Sequence, residues 1–190
     1  MRLASLLRLA AIAATLAFPA AAHAQYAMMV FGTGPAAICY EQVKAKRINL
    51  STLETCNAAL KDDTLSAKNR AATYNNRGIV HMRTGNRAAA ERDYENALRI
   101  SPNIAETQIN LGAMFYANDM FTEAVTVLSQ GVKAEESSSR AVAHYNRALA
   151  LEKLGEIDEA YADLQAATRL DPGLAAASQQ LARYRIERAS

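Results

Sequence analysis

Asparagine recurs at one phase of this chain. Asn76, Asn110 and Asn146 each stand two residues before a small residue that also recurs, Gly78, Gly112 and Ala148. A carboxamide carries both a hydrogen-bond donor and an acceptor. A row of them can pair with the main chain of an extended peptide whatever that peptide's sequence. Charge recurs beside them. Arg77 and Arg147 are each followed sixteen residues later by an acid, Asp93 and Asp163. Where the arginine becomes Leu111, the residue sixteen places on becomes Val127. This matching predicts that the two positions touch; the alternative is that all four charges are solvated.

Chemistry beyond pairing is poorly supplied. The three histidines are His23, His81 and His144, and the last two fall at interior-facing places where a bulky ring packs. No phosphate-binding glycine loop, zinc-ligand spacing or nucleophile elbow occurs. No catalytic residue, metal site or cofactor is expected, and no small-molecule substrate. The runs Glu91-Arg92-Asp93 and Glu156 to Glu159 read as exposed helix faces. With no tryptophan and 6% aromatic residues, a stacking platform for nucleic acid or sugar is poorly supplied.

The asparagines belong to a longer phrase. It runs Tyr74, Gly78, Gly85, Ala90, Tyr94, Ala97, Pro102; then Gln108, Gly112, Asp119, Ala124, Leu128, Gly131; then His144, Ala148, Gly155, Ala160, Leu164, Ala167, Pro172. Gly78 to Gly112 is 34 residues and Ala124 to Ala160 is 36, with an insertion near Ser137-Ser138-Ser139. Within each copy, apolar and small residues follow helical spacing, and a break at Gly85-Asn86 divides two helices. The second helix ends at Ser101-Pro102, because proline cannot continue a helix. Gly78 and Ala90 fall where the two helices cross and leave no room for larger side chains. A single hairpin cannot bury its apolar face, so the copies must stack. The second copy has Gly131 and Glu136 in place of the late alanine and the proline, and its second helix should end less sharply.

On Tyr74, Gly78, Ala90, Tyr94, Ala97, Pro102 and their counterparts, the chain resembles the tetratricopeptide repeat (TPR) family over roughly residues 71–174. The resemblance implies an all-α superhelix in which the first helices of successive repeats line a concave groove. It also puts Asn76, Asn110 and Asn146 in that groove, with their amides open to solvent. On the same face come Ile79, Met82 and Arg83, then Glu106, Ala113 and Tyr116, then Tyr145, Leu149 and Lys153. Family members that dock chaperones clamp a C-terminal carboxylate with basic side chains. The corresponding places here are Val142 and Asn146, so that docking is not expected.

The ends read differently. Residues 1–24 look like a secretory signal: Arg2 and Arg8, an apolar run from Leu9 to Phe18, and an Ala22-His23-Ala24 cleavage site. The run is too short to span a membrane as a helix. The mature chain would begin at Gln25. Loss of two arginines leaves 19 basic against 19 acidic residues, and no net charge to attract nucleic acid or a membrane surface. Residues 25–35 are expected to be a flexible lead-in and 36–66 a helical hairpin, its second helix opened by a capping box at Ser51 and Glu54. Cys39 and Cys56 lie on either side of the hairpin's turn. In an oxidising compartment they would join; the alternative is two separate buried thiols. Repeats follow over 71–104, 105–138 and 141–174, and an amphipathic helix in 175–190 would cap the stack. The whole reads as a non-enzymatic periplasmic or secreted TPR protein that binds a protein or peptide in its groove. The alternative is a structural subunit of an envelope assembly that uses its convex face or its N-terminal hairpin.

Overall fold

A computed structural model describes residues 8–11 and 26–187. The described residues form helical hairpins stacked in chain order: α1 (Pro35–Lys44) with α2 (Leu50–Leu60), α3 (Ala67–Arg83) with α4 (Arg87–Ile100), α5 (Ala105–Ala117) with α6 (Phe121–Gly131), α7 (Ser137–Leu154) with α8 (Ile157–Leu170), then a short α9 (Ala175–Leu181). Two four-residue strands, β1 (Arg8–Ala11) and β2 (Tyr184–Glu187), pair antiparallel, with Arg8 opposite Glu187. The apolar run and cleavage site expected of a secretory signal lie outside the described residues, apart from the stretch at β1.

Small residues set the hairpin spacing. A Cβ added at Gly78 would lie 2.6 Å from the Tyr94 ring, and one added at Gly112 would collide with Leu128. Ala148 takes the same place in the third repeat, opposite Leu164, and both are fully buried. Between the helices of the first and third repeats, the chain turns through Gly85 and Gly155 at φ of 80° and 81°. In the second repeat Asp119 adopts that left-handed conformation at φ 59°, which an aspartate tolerates better than a branched residue does. Helices α4 and α8 turn at once into Ser101 and Asp171, at ψ of 88° and 92°. Helix α6 passes instead through Val132 in helical conformation, a softer ending that matches the missing proline.

The charge pairs cross their hairpins. Arg77 donates from Nε and Nη2 to Asp93, both at 2.7 Å, and from Nη1 to Asn57 on α2 at 2.8 Å. Arg147 does the same with Asp163, at 2.7 and 2.8 Å, and reaches Ser129 on α6 at 3.1 Å. Each arginine therefore ties three helices together. In the second repeat Leu111 and Val127 join one apolar cluster instead. The histidines belong to these networks: His144 Nδ1 lies 2.7 Å from Asp163, and His81 Nε2 lies 3.8 Å from Asp93. Burial works to raise the Asp163 pKa, but its bonds to Arg147 and His144 prevail and hold it below the usual carboxylate value. Burial depresses the pKa of His81.

Cys39 and Cys56 form a disulfide between α1 and α2, with Cα atoms 5.1 Å apart. Both sulfurs are buried in the cluster that includes Val80 and Tyr94, so the bond fastens the N-terminal hairpin to the first repeat. The cap of α2 differs from the capping box read in the sequence. Asn49, not Ser51, accepts from the backbone N–H of Thr52 at 3.0 Å, and Thr52 in turn donates to the Arg47 carbonyl at 2.6 Å. The C-terminal helix also differs in extent. Helix α9 covers the last repeat with Ala177 but stops at Leu181. Tyr-Arg-Ile-Glu at 184–187 alternates apolar and charged residues with the period of a strand, and it forms one. The Tyr184 hydroxyl donates to Glu152 at 2.5 Å.

Candidate functional site

The groove is lined by the asparagines of α3 and α5, and it holds a strand of the same chain. Residues 26–31 run extended across these helices. Asn110 accepts from the N–H of Tyr26 at 3.0 Å and donates to its carbonyl at 3.1 Å. Asn76 makes the same two bonds to Met28, at 2.7 and 2.8 Å. Asn69 makes them to Phe31, at 3.3 and 2.8 Å. In an extended strand the N–H and C=O of one residue point to the same side. A carboxamide can therefore bridge both, as a neighbouring β-strand would. Alternate residues share a side, which fits Tyr26 and Met28; the step of three to Phe31 marks a shift in phase.

A further asparagine tightens the centre. Asn75 donates to the Tyr26 carbonyl at 2.9 Å, and its own oxygen accepts from Asn110 at 2.9 Å. Side chains of the strap add apolar contact. Val30 is buried with Ala36, Tyr40, Ala59 and Ala72. Met28 joins that cluster, and its sulfur accepts from the Thr107 hydroxyl at 3.5 Å. Tyr26 packs against the cluster of Ile109, Val142 and Ala143. Its hydroxyl pKa is raised by burial and then by the carboxylates of Glu136, Asp171 and Glu106. Met29 and Phe31 face water, and Lys68 lies 4.9 Å over the Phe31 ring.

Two expectations are corrected here. Residues 26–31 are not a flexible lead-in; hydrogen bonds and Val30 fasten them. Nor are the ladder amides open to solvent. Asn76, Asn110 and Asn146 are 0%, 3% and 3% exposed. For Asn76 and Asn110 the cause is the strap laid over them. Asn146 occupies the equivalent place on α7, yet both its amide atoms are buried and hydrogen-bond to nothing among the described residues.

The other residues expected to line the groove divide. Ile79, Tyr145 and Leu149 are buried in the core clusters, so they offer no open surface; Ala27 of the strap joins the cluster holding Ile79. Met82, Ala113 and Tyr116 are half-buried, and Tyr116 packs its ring against Phe121. Arg83 and Lys153 are exposed. Glu106 lines a hollow at the groove edge together with Met28. Asn75 was missed because Ile109 and Tyr145 stand at its place in the later repeats, and Asn69 because its counterpart Asn103 lies ahead of α5 and the third repeat has Ser139 there. The seven-residue spacing of Asn69 and Asn76, two turns of one helix, was the available signal.

No grouping of His, Cys, Asp and Glu suited to a metal occurs among the described residues, and no described helix is long and apolar enough to cross a membrane.

These stacked hairpins with an inner polar ladder define a helical-repeat protein of the interaction-scaffold class. Residues 71–104 and 141–174 each match a tetratricopeptide repeat family model, so the chain carries TPR repeats. It is 26% identical over 100 residues to Tetratricopeptide repeat protein 6 of Homo sapiens, a match spanning 53% of this chain but 18% of that protein. Among solved structures, the fold is similar to that of MamA (TM-score 0.65, 19% identity, 80% of this chain and 82% of that one). A MamA fragment from Desulfovibrio magneticus RS-1 gives TM-score 0.63 at 19% identity, with 78% and 82% covered. The second TPR domain of human RPAP3, solved with an HSP70 peptide, gives TM-score 0.57 at 21% identity, with 62% and 97% covered.

Proposed function

We propose that this chain is a non-enzymatic, exported TPR scaffold that holds an extended segment of a partner protein in its concave groove. The observation that carries the reading is the ladder itself. Asn69, Asn76 and Asn110 each grip both the N–H and the C=O of one strand residue. Such contacts read main chain, so apolar neighbours must supply selectivity. Residues 1–24 act as a cleaved secretory signal in this account, and a disulfide between Cys39 and Cys56 suits the oxidising periplasm or exterior. Cleavage would remove β1 and leave Tyr184–Glu187 without its pairing strand.

A photo-reactive amino acid at Glu106, on the groove edge, tests the reading in the native envelope. It should cross-link a partner through a short extended segment. A second reading, an assembly subunit held by its N-terminal hairpin, is favoured by the exposure of Ile38 (51%) and Leu50 (70%) on α1 and α2. Cross-links from Ile38 with none from Glu106 would replace the first reading by the second. Retention of the apolar run Leu9 to Phe18 in the mature protein would end the export assignment.

A further inference from the structure

We infer that Tyr26–Phe31 is a tethered competitor for the groove, and that its rival is a partner strand of eight or more residues, apolar at alternate positions, that also engages Asn146. The inference rests on the groove-binding reading above and says how the groove is regulated.

The ladder is longer than the strap. Moving from Asn76 to Asn110, the strand advances from Met28 to Tyr26, two residues for one rung. The next residue on the same side would be two further toward the N-terminus, over α7. There Asn146 stands buried with both amide atoms unused among the described residues. A buried carboxamide without partners is costly to the fold, and a strand crossing α7 would satisfy it. A strand spanning Asn69 to Asn146 therefore makes one more bidentate contact than the strap.

The strap is also built to be replaced. Every ladder bond goes to its main chain, which any extended peptide can imitate. It joins α1 through Gly32-Thr33-Gly34, where both glycines have φ near 110° (108° and 110°) and open space around them. That linker allows it to swing out. So short a tether gives the strap an effective concentration on the order of millimolar, which a free ligand must overcome. The extra rung supplies one advantage. The strap's own pattern supplies the ligand's chemistry: Tyr26, Met28 and Val30 turn toward the protein, with the small Ala27 also packed against it, while Met29 and Phe31 are exposed.

The test uses the full chain and two fluorescein-labelled peptides, read by anisotropy. One copies the strap, Tyr-Ala-Met-Met-Val-Phe; the other carries two alanines before it. Val30→Asp puts a carboxylate into an apolar pocket and should release the strap, with Tyr26→Glu, on a half-buried ring, as the milder release if the first fails to fold. Because apparent affinity scales with the open fraction, the longer peptide should bind the released protein at least tenfold more tightly than the parent. Adding Asn110→Ala should reverse that gain. Asn146→Ala should weaken the longer peptide several-fold and leave the shorter one unchanged. Equal binding to parent and released proteins would overturn the competitor role while leaving the groove a peptide site. A folded, released protein that binds neither peptide would overturn both. Indifference of the longer peptide to Asn146→Ala would show that the chain's own upstream residues or none use that rung, and would overturn its assignment to the partner.

Discussion

Asp93→Ala isolates what the Arg77 network does for the stack. The Arg77 side chain is 21% exposed and that of Asp93 4%. The substitution removes two charge-assisted bonds and leaves the guanidinium with Asn57 and the face of the Tyr74 ring. Breaking one side of a buried pair costs about 3–5 kcal/mol. Because a fifth of the Arg77 side chain reaches water, part of the charge can be rehydrated, and the expected loss is about 2–4 kcal/mol. Replacing both partners, Arg77→Leu with Asp93→Val, copies the second repeat, where Leu111 and Val127 already share a cluster. That exchange leaves no charge stranded and should cost under about 1.5 kcal/mol. Urea unfolding followed by circular dichroism separates the two. With a slope near 2 kcal/mol/M, the single variant should lower the midpoint by about 1–2 M and the double by under about 0.75 M. Equal midpoints for single and double variants, or a single variant within about 0.5 kcal/mol of the parent, would refute the assignment of the pair as a hairpin tie.

Gly78→Ala should lower the melting temperature, since its Cβ meets the enclosed Tyr94 ring; overpacking of this kind costs about 1–3 kcal/mol, and adding Tyr94→Leu should recover most of it, as Ala148 and Leu164 coexist in the third repeat. Reducing the Cys39–Cys56 bond should cost about 3 kcal/mol in the chain-entropy model, and hydrogen exchange should rise first in α1 and α2, well before α7 and α8. Asp163 has a folded pKa below its ordinary 3.8, so its contribution is present above pH 3.8 and is lost as pH falls through the folded value; Asp163→Asn should flatten the acid limb of a stability-versus-pH curve. Asn110→Ala should both destabilise the fold and weaken peptide binding, because Asn110 is buried and bonded to Tyr26 and Asn75; a variant as stable as the parent would contradict the ladder geometry.

Much of the architecture could be read from the chain because it rests on repetition. The recurring small residues at Gly78, Gly112 and Ala148 are needed wherever two helices cross, so they mark each hairpin. The Arg77–Asp93 and Arg147–Asp163 pairs were legible for a related reason: a compensating change to Leu111 and Val127 exposes contact between sites far apart in sequence. Features that occur once were harder. Residues 26–31 carry no helical period and run into Gly32-Thr33-Gly34, which resembles a loose linker; long-range bonds to Asn69, Asn76 and Asn110 and the burial of Val30 order them. Tyr184–Glu187 reads equally as an amphipathic helix or a strand over so short a stretch, and its partner strand lies at the far end of the chain. The roles of His81 and His144 were missed because each leans on an aspartate from the facing helix, which local spacing does not reveal.

The central claim, that asparagine side chains hold an extended strand in the groove, is tested most directly by amide hydrogen exchange at single residues. The N–H groups of Tyr26 and Met28 donate to Asn110 and Asn76, so both should exchange far more slowly than in a free peptide, while Met29, on the opposite side of the strand, should exchange fast. Asn76→Ala should speed exchange at Met28 more than at Tyr26, and Asn110→Ala the reverse. Random-coil exchange at both Tyr26 and Met28 in the parent protein would contradict the account.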